Sequence, residues 1–587
     1  METHYTNERH VQILIYLLKA HGIKRVIASP GTTNLTFVGS LQQDPWFEIY
    51  SSVDERSAAY IACGMAEESG EPVVLTCTGA TASRNYLPGL TEAYYRKLPV
   101  LAVTSMQHPG RVGHNCSQVI DRREQPNDVA KVSVQITCAH TDEDEWSCAA
   151  EINKAILALT RDGGGPAHIN LQTTYSKDFS VKELAPAKVI RRITYGESFP
   201  ELKANTVSVF VGSHVKFTDS LTDAVDTFCE KYNGVVLCDV TSNYKGKYRI
   251  LGQILNAQGG YRPACSTADL AIHIGNVSGV EMQPKAAQIW RVCPDGEVVD
   301  TFKKLTYVFD MKEEDFFRHY NEVSSKEAGN GSVYYNSWVN EIEALRSLIP
   351  EIPFSGVWIS QQSSGRLPEN SVLHVGILNS LRSWNYFDIP KSVYSYSNVG
   401  GFGIDGDVSA LIGASLVHPD KLYFGVIGDL AFFYDMNVLG NRHVGKNIRL
   451  MLVNNGRGTE FRNYNHPCAR FGEDADAYMA AAGHYGHQSR ELVKHYAQDL
   501  GFEYLSAGNK EEFMANVDCF FNPEMVDRPI LFEVFTDSQD ESDAIKAMHE
   551  IKMSTDSSFK AKHAAEQAIR GAIGEKGVKT IKKILGK

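Results

Sequence analysis

Val426-Ile427-Gly428-Asp429-Leu430 is an apolar run that stops at Gly-Asp. At 25 and 26 positions beyond the aspartate stand Asn454 and Asn455, closing a second apolar run from Leu450 to Val453. Runs of this length, bounded by turn residues, read as buried strands. Their polar ends then fall at the carboxyl edges of neighbouring parallel strands, where an open α/β sheet binds ligands. A carboxylate and an amide oxygen there suit a hard cation such as magnesium, which also takes water and phosphate oxygens. N–H groups opening the helix after Gly428 suit a diphosphate. Turns also make Gly-Asp and Asn-Asn, so the weight lies in the strand context and the spacing together.

The same alternation runs through the chain. Val11 to Ala20 has a helical period and ends at His21-Gly22; Arg25 to Ala28 and Ile49 to Val53 are short strands. Ser57 to Ser69 carries Ala58, Ile61, Ala62 and Met65 on one helical face, and Gly70-Glu71-Pro72 stops it before the strand Val73 to Cys77. Ser83 to Arg96 reads as helix despite Pro88. Pro99 to Val103 and Gly165 to Asn170 complete a first unit. Val207 to Val211, Val235 to Val240, Leu270 to Ile274 and Tyr307 to Asp310 are strands of a second. Val372 to Val375, Val393 to Tyr396, Tyr423 to Ile427, Leu450 to Val453 and Ile530 to Val534 are strands of a third. The expected fold class is α/β, with three doubly wound parallel-sheet domains over 1–175, 205–320 and 336–550. Linkers are expected at about 175–204 and 320–335. A tail, 551–587, holds nine Lys or Arg against three Asp or Glu and reads as a basic helix, its apolar face carrying Ile569, Ile573, Ile581 and Leu585.

Composition narrows the functional classes. The 587 residues are 43% hydrophobic and 22% charged, an ordinary globular balance. Net charge is −12, which disfavours a nucleic-acid partner. Eleven cysteines without a CxxC pair point to reduced thiols and a cytoplasmic location. The longest apolar runs, about ten residues, are too short for a transmembrane segment.

The Gly428-Asp429…Asn454-Asn455 arrangement resembles the signature of thiamine-diphosphate enzymes, although Leu430 stands where that family usually has a second glycine. The chain is identified as a member of the thiamine-diphosphate 2-oxo-acid decarboxylase and carboligase superfamily. Within it, the stretch Gly428 to Asn437 is most similar to the menaquinone-pathway synthases, which make 2-succinyl-5-enolpyruvyl-6-hydroxy-3-cyclohexene-1-carboxylate. The resemblance implies thiamine diphosphate and Mg2+ as cofactors, a pyrimidine-binding first domain, and a diphosphate- and metal-binding third domain. It implies metal ligands Asp429, Asn455 and the main-chain carbonyl of Arg457. Gly403, Ile404, Gly428, Leu430 and Ala431 are implied as further cofactor contacts, with Ile404, in Ser397 to Gly406, as the wedge that holds the cofactor bent. Glu55, in Ser52-Val53-Asp54-Glu55-Arg56-Ser57, matches the glutamate that shares a proton with the aminopyrimidine ring. Gln118 matches a glutamine near the reacting carbon. A homodimer or homotetramer is also implied.

The anion-binding residues depart from that pattern. Thr33 and Val399 replace two arginines of the synthases, Arg382 matches a third, and Leu378 stands for a serine. Losing fork-shaped carboxylate clamps is not conservative. Arg382, Asn115 and Glu460 are the expected substrate residues. The polar run Arg457, Thr459, Glu460, Arg462, Asn463, Asn465 and His466 suits a hydroxylated acceptor such as a sugar derivative. The expected activity is decarboxylation of a 2-oxo acid with transfer of the acyl anion to an acceptor. The alternatives are a simple decarboxylase, an acetolactate-synthase-like enzyme, or a cofactor-binding regulatory protein. No flavin fingerprint is visible in the middle unit.

Overall fold

A computed structural model of the chain describes residues 4–280, 282–323, 332–484 and 489–561. Two compact units emerge: one holds the chain up to Glu201 together with Gln288–Lys312, and the other holds the remainder. The strand pairings given below are all parallel, and strands alternate with helices over much of the chain.

The first unit is built on β1 (Arg25–Ala28), β2 (Glu48–Ser51), β3 (Val73–Cys77), β4 (Val100–Met106), β5 (Val132–Ile136) and β6 (Ala167–Gln172), in spatial order β2-β1-β3-β4-β6-β5. Every residue of β3, β4 and β6 is buried, as expected for parallel strands covered on both faces. Successive side chains serve opposite faces. Leu101 and Val103 join a core with Leu14 and Leu18 of helix Arg9–Ala20 and Ile152 and Ile156 of helix Asp142–Ala158. Val100 and Ala102 join another core, with Ala62 of helix Glu55–Ser69 and Ala93 of helix Leu87–Arg96. Those last two helices touch so closely that a Cβ on Gly89 would lie 2.4 Å from that of Ala59. Pro88 sits in the first turn of its helix, where no N–H is missed.

Part of the stretch read as a linker is ordered as β7 (Arg191–Thr194), which the sequence reading leaves out because only its Ile193 is strongly apolar. Next come β8 (Val207–Val211), β9 (Gly234–Cys238), β10 (Arg249–Leu251), β11 (Thr267–Ile274), β12 (Lys285–Cys293) and β13 (Leu305–Asp310). In the second unit β10, β9, β8 and β11 pair in that order. In the first, β13 pairs with β7 on one side and with β12 from Ile289 on the other.

The second unit also carries β14 (Val372–Val375), β15 (Tyr394–Tyr396), β16 (Tyr423–Gly428), β17 (Ile448–Asn454), β18 (Glu503–Ala507) and β19 (Ile530–Phe535), ordered β15-β14-β16-β17-β19-β18. Gly428 pairs with Val453, so Asp429 and Asn454 leave adjacent strands at the same level. The helical tail is described only as far as residue 561, with a short helix at Ile551–Thr555; Ile569, Ile573, Ile581 and Leu585 lie outside the described residues.

His168 on β6 is fully enclosed, with Nε2 at 2.7 Å from Thr104 Oγ1 and Nδ1 at 2.8 Å from Ser133 Oγ. Burial, with Arg122 and Arg84 as neighbouring charges, pushes its imidazole down to about 3. The native state therefore holds it neutral over a range in which the unfolded chain takes up a proton. Stability rises with pH between about 3 and 6.5 on this account. Wild type should lose stability relative to His168→Gln as pH falls from 7 to 5, read from urea midpoints at each pH. Parallel pH curves for the two proteins would remove His168 from that role.

Candidate active site

In the second unit the decisive geometry surrounds Asp429, the first residue of helix Asp429–Asp435 and only 3% exposed. One carboxylate oxygen accepts the Leu430 N–H at 2.7 Å. The other accepts the N–H groups of Asn455, Gly456 and Arg457 at 3.0, 2.7 and 3.2 Å. Gly456 makes this wrap feasible with φ +79°, a region that favours glycine. Asn454 is fixed from behind: its amide donates to Glu533 at 2.7 Å, and Tyr504 donates to the other oxygen of the same carboxylate at 2.8 Å. Asn455 Oδ1 accepts the Thr459 hydroxyl at 2.6 Å. The Arg457 carbonyl accepts the Thr459 N–H at 2.9 Å and keeps a second lone pair.

Burial pushes the Asp429 carboxyl up to about 6 against the pull of its four N–H donors. Nearby, burial raises Glu541 to about 7, and the charge of Asp429 adds to the effect. Glu541 accepts the Gly356 N–H at 3.0 and 3.1 Å and the Thr536 hydroxyl at 2.7 Å. A cavity of about 40 Å³ lies alongside, lined by Gly356, Asn379, Ser380, Gly428, Asn455 and Glu541. Oxygen donors around a dehydrated carboxylate fit a magnesium-sized hard cation, and small residues and N–H groups around them fit phosphate oxygens. Among the described residues no cluster of three His, Cys, Asp or Glu gathers as a metal site. The fitting set is instead one carboxylate, one amide and one main-chain carbonyl.

Other expected cofactor residues fall around this point. Ala431 is buried in the core, and Ile404 packs half-buried against the same core. Leu430 Cδ1 lies 3.0 Å from where a Cβ on Gly458 would be, so the leucine fills space that the loop leaves open. A Cβ on Gly403 would meet Asp405 Oδ1 at 2.4 Å. Beside them is a cavity of about 720 Å³, lined in part by Gln253, Ser278, Phe402, Tyr464, His466 and His549. Arg382 and Glu460 also line it, joined by two parallel bonds of 2.8 and 3.0 Å. Leu378, on the same wall, has φ +65°, a conformation unusual for a residue with a Cβ. Val399 is buried against Gly279. No sequence pattern marks Glu541, Tyr464 or His549; only the packing of helix Ser538–His549 against the segment after the 3-10 turn Thr459–Arg462, where the Tyr464 N–H donates to Ser542 Oγ at 2.9 Å, brings them here.

In the first unit Glu55 opens helix Glu55–Ser69, capped by Asp54, whose carboxylate accepts the Arg56 N–H at 2.9 Å. Asn85 approaches Glu55 Oε2 at 3.4 Å. Asn115 and Gln118 lie exposed in the segment after β4, both with left-handed φ, +52° and +62°. The backbone of that segment is anchored: a Cβ on Gly79 would come within 2.9 Å of the Gln118 carbonyl. Arg122 is buried, donating to Ser105 O at 2.9 Å and Asn170 Oδ1 at 3.0 Å. Thr33 is buried, so this position offers no cation to a ligand.

Residues 9–125 match the family described as "Thiamine pyrophosphate enzyme, N-terminal TPP binding domain". Over 575 residues, the chain is 29% identical to the 2-succinyl-5-enolpyruvyl-6-hydroxy-3-cyclohexene-1-carboxylate synthase of Bacteroides fragilis, covering 93% of this chain and all of that protein. The chain thus carries the N-terminal domain of thiamine-diphosphate enzymes and is similar along most of its length to synthases of that name. Proteins of the same name from Bacteroides thetaiotaomicron and Flavobacterium johnsoniae are 28% and 26% identical, covering 93% and 89% of this chain and 100% and 95% of theirs. Among the described residues no helix is long and apolar enough to cross a membrane.

Asp429→Asn removes the charge while its amide oxygen can still take the N–H groups of Asn455, Gly456 and Arg457, at the cost of the bond from the Leu430 N–H. Thiamine diphosphate titrated with magnesium should then bind roughly a hundredfold more weakly, because a divalent ion loses its one anionic ligand. Calorimetry giving equal affinities for variant and wild type would show that Asp429 is not a ligand.

Proposed function

We propose that this enzyme decarboxylates a 2-oxo acid and joins the acyl fragment to an acceptor. Thiamine diphosphate would be held through Mg2+ by Asp429, Asn455 and the Arg457 carbonyl. The observation that carries the reading is the Asp429 carboxylate gathering the loop 455–457 at the carboxyl ends of β16 and β17. Thiamine diphosphate, when bound, supplies an electron sink for the carbanion left by loss of carbon dioxide. Ile404 would shape the pocket wall, and Gln118 and Asn115 would face the substrate. Glu55 would hold a proton at the aminopyrimidine nitrogen.

Glu55 needs shelter from water for that role, since desolvation brings a carboxyl toward working pH. Exposed apolar side chains stand on this helix and its approach, alongside the exposed Asp54, Arg56 and Ser57: Val53, Tyr60 and Ile61 are 78%, 48% and 44% exposed. A second copy of the chain covering this face would supply the shelter, so the working form is read as a homodimer or a dimer of dimers. Ile61→Asp should then sediment as monomer and lose activity; an active monomer would refute this part of the reading.

The acceptor is a carbonyl compound or an activated alkene. The comparisons lend no support to a sugar derivative; what favours a hydroxylated acceptor is the polar wall of Gln253, Asn256, Asn465 and His466. All eleven cysteines are unpaired, which suits a reducing, cytoplasmic setting. The test of the chemistry is Glu55→Gln. The variant should bind thiamine diphosphate as wild type does, yet exchange its C2 proton for deuterium at least about a hundredfold more slowly, followed by NMR. An unchanged exchange rate would take Glu55 out of the mechanism.

A further inference from the structure

The large cavity of the second unit presents one guanidinium fork, and that fork is already filled. Arg382 stands on helix Asn379–Trp384, and Glu460 on the turn Thr459–Arg462. Arg382 Nη1 donates to Glu460 Oε2 at 2.8 Å and Nη2 donates to Oε1 at 3.0 Å. This is the bidentate geometry with which arginine captures a carboxylate ligand. The pair is braced on both sides. Arg382 Nη1 also donates to Asn379 Oδ1 at 2.7 Å, and the Asn463 amide donates to Asn379 Oδ1 at 2.9 Å and to Glu460 Oε2 at 3.1 Å. The side chains are 26% and 18% exposed, so neither is a loose surface group.

We propose that Glu460 is a built-in carboxylate that occupies the Arg382 fork, and that it restricts the site to substrates without a second carboxylate. The inference rests on the reading of the enzyme as acting on a 2-oxo acid, and it names the class: donors with a single carboxylate and an uncharged tail. A dicarboxylate would have to displace Glu460, leaving that acid half-buried without its partner and close to the incoming anion. The other walls offer little to an anion. His549 lies between the hydroxyls of Tyr464 and Tyr386 at 2.8 and 3.1 Å, and burial holds its imidazole at about 4, uncharged at neutral pH. Glu550 adds a further negative group to the wall.

The test uses succinate, a dicarboxylate without a 2-oxo group, titrated into the full-length protein by calorimetry, with butyrate as the single-carboxylate control. Wild type should give no succinate binding. Glu460→Ala, which leaves the fork and vacates the space, should bind succinate at least about tenfold more tightly than wild type does, and adding Arg382→Ala should abolish the gain. Glu460→Gln, closer to wild type in volume, serves if the alanine variant does not fold, and should move in the same direction. With 2-oxo acids the ratio of kcat/KM for 2-oxoglutarate to that for 2-oxobutyrate should rise by at least about tenfold in either variant. The proposal is overturned if wild type binds succinate as tightly as the variants do. It is equally overturned if a variant with a wild-type melting temperature gains nothing. A parallel titration with thiamine diphosphate and magnesium separates the two readings. Failure there refutes the cofactor assignment, whereas the succinate result still reports on Glu460.

Discussion

Four backbone N–H groups converge on one buried carboxylate, and the candidate site of the second unit is organised around that convergence. Asp429 sits where β16 becomes helix, while Asn455, Gly456 and Arg457 leave the end of β17. The bonds fix the turn after β17 to the start of the helix after β16, and so set the level of every polar group beyond. Without an acceptor there, three consecutive N–H groups of a tight turn would have to find other partners or water. The same carboxylate is costly to bury as an anion, and its charge in turn raises its neighbour Glu541. A bound divalent cation, as proposed above, would offset that cost.

Much of this was legible in the sequence. Completely buried parallel strands are nearly continuous apolar runs, so Val73 to Cys77 and Val207 to Val211 could be bounded from composition alone. The strands that were not legible are those whose sequence is mixed. Val132-Ser133-Val134-Gln135-Ile136 and Glu503-Tyr504-Leu505-Ser506-Ala507 lie at sheet edges with partly exposed side chains. Their assignment depends on a neighbour that only the folded chain supplies.

The site divides along the same line. Gly428-Asp429 and Asn454-Asn455 are close in sequence to the strand ends that present them, and so a motif could mark them. Glu541 reaches the Gly356 N–H across 185 positions, and no local pattern encodes that meeting. Arg382 shows the hazard of transferring a role by position alone. The side chain is present where a resemblance places a substrate clamp, yet 78 positions further on the chain carries the acid that engages it.

Leu430 illustrates how a departure from a motif can be self-consistent. Its Cδ1 occupies the space into which a side chain at position 458 would project, and position 458 is glycine. The two positions share one volume across the turn that wraps Asp429. The Phe461 ring, 3.1 Å from the same point, closes the other side, so a larger residue at 458 needs a smaller one at 430 and a shift of Phe461 as well, whereas enlarging 458 alone would press on both. The pair should therefore covary: engineering of the helix start and of the loop after β17 amounts to a single design choice made at two addresses.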